Sequence, residues 1–266
     1  MTHPPTETGP HASQRGVSKE LVSRVPRSLE SLHCTKQCHR QTAHMPGSAP
    51  LATAFASPST PHGRVNLLWP GLALASLATF VAVTIVVHLL RSDLDVVRNQ
   101  MSLYLIGPWG HLLQSAYCVL SVGMLALIFG LRGSLHPRAR GRMPMALFVT
   151  AALALCITAY AWMDMPGAHI TVQGRIHVGA ASTAFVCATV GLMWQAHDFR
   201  HDAYWRAHRR WALPWAALCF LAIWAMAWCP PPLTGLGQKS VIVLILGWLM
   251  AVSLCLVRRG RGAGTA

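Results

Sequence analysis

Read as alternating apolar and polar blocks, the chain carries six long apolar runs: Leu67–Leu90, Trp109–Leu131, Met143–Trp162, Ile176–Ala196, Trp211–Cys229 and Val241–Val257. They are 17 to 24 residues long. At about 1.5 Å of rise per residue, helices of that length cross a hydrocarbon core of roughly 30 Å, the last run only just. An isolated span must satisfy its own backbone hydrogen bonds, and no run shows the alternation of a barrel strand. The pattern therefore predicts an all-α fold, a polytopic membrane bundle of six transmembrane helices over residues 67–257.

The polar blocks set the limits of that domain. Residues 1–66 are rich in Pro, Ser, Thr and His without apolar periodicity, which predicts a disordered cytoplasmic tail, with Met45 as an alternative start. Residues 258–266 form a short basic tail. No small-residue cleavage site precedes HLLRSDLD at the end of the first run, so that run is expected to stay attached.

Composition agrees: 53% of residues are hydrophobic, only 11% are charged, and there are ten tryptophans, outside the range of a soluble domain. A net charge of +14 points to nucleic acid only if the basic residues form one patch. They follow topology instead. Of the 22 Lys and Arg, 18 fall in the tails and in the second and fourth loops, and only Arg91, Arg98, Arg175 and Lys239 elsewhere. By the positive-inside rule both termini are cytoplasmic and the other three loops face outward, as in a multi-pass protein of a bacterial inner membrane. The eight cysteines suggest no disulfide framework. Cys34 and Cys38, flanked by His33 and His39, have no second pair downstream and read more simply as part of a flexible tail than as a zinc site.

Candidate chemistry gathers on the outward side. The stretch Trp162–His177 holds Asp164, His169, Arg175 and His177, and the first loop runs from His88 past Ser102 to His111. Asp164 with two imidazoles from among His88, His111, His169 and His177, taken here as His169 and His177, would make a three-ligand zinc site with one position open for water. Such a metal lowers the pKa of its water to about 7, producing a hydroxide near lipid ester or amide bonds, with Ser102 positioning substrate or attacking. The structural alternative is plain: Asp164 pairs with Arg175, His177 hydrogen-bonds within the bundle, and Ser102 closes a turn. Ala180, Ala184 and Ala188 form a seam of small residues that places the fourth helix at the bundle centre. No acid or base lies deep enough in a span for coupled transport.

Four motifs, in order, resemble the six-span bacterial membrane proteins grouped as domain-of-unknown-function family 998. They are Ser102 followed by Gly107 and Pro108, Asp164 after the third span, Gly174 to His177 opening the fourth, and GLGQK, with Gln238 and Lys239, in the turn before the last. The likeness covers about Leu67 to Val257. Lys239 stands where the resemblance implies Arg, keeping the charge but losing a bidentate donor. The family implies a six-helix fold and brings no activity. Its layout is similar to that of ceramidase-like hydrolases, in which Ser, Asp and His are implicated in a zinc site, an analogy of layout alone. Two readings follow: a scaffold or sensor whose outward loops meet membrane lipid or an envelope partner, and a metal-dependent hydrolase acting on a lipid through Ser102, Asp164 and His177.

Overall fold

The computed structural model describes residues 66–165 and 167–262, all within one compact unit; the tail expected over residues 1–66 lies, but for Asn66, outside the described residues. Six helices follow one another: α1 (Leu68–Leu90), α2 (Gly110–Ser134), α3 (Arg142–Tyr160), α4 (Val172–Asp198), α5 (Trp205–Ala227) and α6 (Thr234–Gly262). All six are long and apolar enough to cross a membrane, so the fold is the all-helical multi-pass bundle that the apolar runs predict.

Several helices outrun their apolar segments. α4 begins at Val172 rather than Ile176, α5 at Trp205 rather than Trp211, and α6 spans Thr234–Gly262 rather than Val241–Val257. An apolar run measures contact with hydrocarbon, whereas a helix continues into water as long as its end groups find partners. Thr171 Oγ1 accepts from Gly174 N at 3.0 Å to start α4. Asp202 Oδ1 accepts from Tyr204 N at 3.0 Å and Trp205 N at 3.1 Å to start α5. The expected basic tail from residue 258 is helix as far as Gly262.

The most enclosed span is α2, 56% buried against 39% for α4, so the small-residue seam does not put α4 at the centre. α2 packs against α1, α3 and α6. A Cβ at Gly123 would lie 2.6 Å from Ser76 Cβ, so this glycine lets α1 close on α2. The loops 91–109, 161–171 and 228–233 share one end of the bundle, called here the site end. The opposite, basic end carries the loops 135–141 and 199–204 and the C-terminal turns of α6.

At the basic end one buried carboxylate ties three segments together. Asp202, 3% exposed, accepts from His136 N at 2.9 Å and forms an ion pair with Arg259 Nη1 at 3.1 Å, besides capping α5. Trp205 is fully buried and stacks on Phe199 with ring centroids 4.5 Å apart. The basic segment His197–Arg210 is thus partly core, with Asp198, Phe199, Asp202 and Trp205 buried. Asp202→Ala leaves the half-buried Arg259 without its partner, and the expected cost is about 3 kcal/mol. It should appear as a lower unfolding midpoint in mild detergent, with Arg259→Ala adding little on top of it.

Candidate functional site

The connection between α3 and α4 is held by the residues singled out in the sequence. Asp164 accepts from both Thr171 N at 2.9 Å and Thr171 Oγ1 at 2.7 Å, while Thr171 caps α4 through Gly174 N. A Cβ at Gly174 would overlap the Asp164 carboxylate, so glycine is required for the loop to close on the helix. Two hydrogen bonds from Thr171 hold the Asp164 carboxyl below the usual carboxylate range. One turn into α4, His177 is 2% exposed and its Nδ1 donates to Ala161 O at 2.6 Å, satisfying a carbonyl at the end of α3. Asp164 therefore takes Thr171 as its partner and not Arg175. His169 is exposed at the loop tip.

The first loop is clasped by α6. Leu236 N donates to Val97 O at 2.8 Å, Thr234 Oγ1 to Arg98 O at 3.2 Å, and Lys239 Nζ to Val96 O and Asn99 O at 2.7 and 2.6 Å. A side chain on Gly235 would collide with the Asn99 carbonyl. GLGQK is thus the opening of a helix, not a turn before one, and its lysine serves two separate carbonyls, which an ammonium does without a bidentate fork. Lys239 also lies over the Tyr104 ring, 5.2 Å from its centroid, and His88 stacks on the same ring at 4.2 Å. Asp95 Oδ1 accepts from Val97 N and Arg98 N, which lowers its pKa, and Arg91 pairs with Asp93 at 2.8 Å while donating to Ile106 O at 2.6 Å. Gly107 sits at φ +81, in the left-handed region, with the Arg91 guanidinium against it, so Gly107 and Pro108 form a turn that a larger residue would strain.

Within the bundle lies a cavity of about 80 Å³. It is lined mainly by apolar residues of α1, α2, α3, α4 and α6, including Ala184, Ala188, Ile242 and Leu249. Ser102, 4% exposed in the 3-10 turn Met101–Leu105, lines it together with Gln238, 8% exposed, whose Oε1 accepts from Met101 N at 2.7 Å. Tyr117 of α2 lines it as well.

The structure brings Asp164, Gly174 and His177 together on one hairpin, and Ser102 and Gln238 together on the cavity. Neither Asp164 nor His177 lines that cavity. Among the described residues no three His, Cys, Asp or Glu side chains are grouped to hold a metal, so the zinc triad of Asp164, His169 and His177 is not assembled. The residue most easily missed in the sequence is Thr171. Its signal is a threonine three residues before Gly174, hidden because the apolar run begins only at Ile176.

Six apolar helices with their loop ends stitched by side chains define a multi-pass membrane protein. The chain belongs to a family described as a protein of unknown function, DUF998, whose model matches residues 74–255. Among curated proteins and solved structures none matches the chain.

Because the Asp164 carboxyl titrates below its ordinary value of 3.8, the bonds it accepts stabilise the fold fully above that pH and are lost as pH falls through the lower folded value. Amide exchange at Thr171 and Gly174 should accelerate below about pH 3.8 and, at neutral pH, in Asp164→Ala. Lys239→Met strips two carbonyls of their donor, and trypsin cleavage after Arg98 is expected to rise about tenfold, with Lys239→Arg restoring protection.

Proposed function

We propose that this chain is a scaffold or sensor of a bacterial inner membrane, without chemistry of its own, with both termini cytoplasmic and the site end facing outward. The orientation rests on the 18-to-4 distribution of Lys and Arg, which loads the tails and the basic end. The observation that carries the functional reading is that Asp164, His177, Gln238 and Lys239 each hold a backbone group of a site-end loop. A hydrolase needs such groups to converge on a reacting atom, whereas a recognition surface needs them to fix the shape of its loops. Membrane lipid, or an envelope protein reaching the loops from outside, is the partner such a surface would meet.

Purified in mild detergent, the full chain should hold well under one zinc per molecule and release no fatty acid from membrane phospholipid. His177→Ala should lower its unfolding midpoint without changing either result. About one zinc per chain, lost in His177→Ala and accompanied by lipid hydrolysis, would replace this reading with the metal-dependent hydrolase.

A further inference from the structure

A second and larger space lies between α1 and α6. This partly open groove of about 400 Å³ runs from His88 and Lys239 at the site end to Phe80 and Leu246 deeper in the span. Lys239 and Leu246 are seven residues apart on α6, which is about 10 Å of helix. At roughly 30 Å³ for a group the size of a water molecule or a methylene, the space takes on the order of a dozen carbons, enough for most of one chain and too little for two.

Apolar walls are ordinary on a surface that meets hydrocarbon, but the polar end of this groove is not. His88 Nε2 and Thr84 Oγ1 are both buried without a hydrogen-bond partner, and both residues line the groove. Leaving such atoms unpaired costs roughly 1 to 3 kcal/mol each. The imidazole is held in place, because its Nδ1 donates to Thr84 O at 2.7 Å and its ring stacks on Tyr104 with centroids 4.2 Å apart. Nε2 of the neutral ring is then an acceptor. Lys239 adds a positive charge. Its half-buried ammonium uses two of three N–H groups on Val96 O and Asn99 O and lies over the Tyr104 ring, and among the described residues no carboxylate forms an ion pair with it. A cation withdrawn from water without a counter-charge favours an anion beside it.

We infer that the α1–α6 groove is a binding site for a single-chain fatty acid, with the chain along Phe80, Ile242 and Leu246 and the carboxyl group among Thr84, His88 and Lys239. One head group meets all three needs. One carboxyl oxygen accepts from the Lys239 ammonium and the Thr84 hydroxyl, and the other shares a proton with His88 Nε2. A phosphodiester brings no proton for Nε2, and an alcohol brings no charge for the ammonium. The site rests on the sensor reading above and deepens it by giving the sensor a ligand class; no bond is made or broken.

The test is equilibrium binding of radiolabelled oleate to the full chain in maltoside micelles at neutral pH, with oleyl alcohol and dioleoyl phosphatidylglycerol as competitors. Saturable binding near one per chain is expected, and both competitors should act about tenfold more weakly than unlabelled oleate, the difference made by one charged hydrogen bond. Thr84→Val keeps the side-chain shape, removes the hydroxyl and should weaken binding roughly 3- to 10-fold. His88→Phe keeps a ring against Tyr104, removes Nε2 and should weaken binding about tenfold or more. Both variants leave the Lys239 clasp in place, so trypsin cleavage after Arg98 should stay at the wild-type rate, which separates loss of the site from loss of the loop. Ile242→Trp fills the groove and should abolish binding in a chain that keeps the wild-type unfolding midpoint. Absence of saturable binding, equal competition by oleyl alcohol or the phospholipid, or undiminished binding in both Thr84→Val and His88→Phe overturns the site and leaves the non-catalytic reading standing. Release of oleate from the phospholipid would instead overturn that reading, with the groove retained as the place that holds the acid.

Discussion

Backbone carbonyls that leave a helix at a membrane boundary must find donors, and in the first loop four consecutive ones find theirs on α6. Val96, Val97, Arg98 and Asn99 all accept from the first turns of that helix, through Lys239, Leu236 and Thr234. This meets two needs at once, because helix α6 has N-terminal donors without intrahelical partners and the loop has acceptors without a ladder. The loop is thereby laid across the end of α6, which carries the turn Met101–Leu105 onto the bundle and buries Ser102. Gln238 secures the last step by accepting from Met101 N.

The two ends solve the same problem with different chemistry. At the site end, short hydrogen bonds from Thr171, His177 and Lys239 serve carboxylate and carbonyl groups, and glycines at 174 and 235 give the backbone the clearance to reach them. At the basic end a single buried carboxylate, Asp202, collects a loop amide, a helix cap and an arginine. A buried ion pair fixes geometry strongly but tolerates little change, since removing one partner strands the other. The site end distributes its hold over many bonds.

Packing explains why the bundle has a cavity where the alanine seam suggested close contact. α2 takes the centre, with Gly123 drawing α1 in, and α3 packs on both α2 and α4. The alanines of α4 then face α6 across a gap that α5 does not fill. Small side chains permit a close approach but do not enforce one; without a helix brought against them they line a space.

The sequence by itself determined the architecture, because lengths and spacing of apolar runs are fixed by bilayer thickness and a span has only the helix to satisfy its backbone. It also marked Ser102, Gly107, Asp164, Gly174, His177, Gln238 and Lys239, since polar groups and glycines at span ends stand out against apolar neighbours. What those residues do was decided by tertiary structure alone. The same Asp164 and His177 that suit a metal become, once α3 and α4 are packed, the partners of Thr171 and Ala161. GLGQK becomes a clasp only when the first loop, more than 130 residues earlier, is laid upon it. Hydrogen-bond partners distant in sequence leave no periodic trace, and a cavity is a property of facing surfaces that no single helix carries.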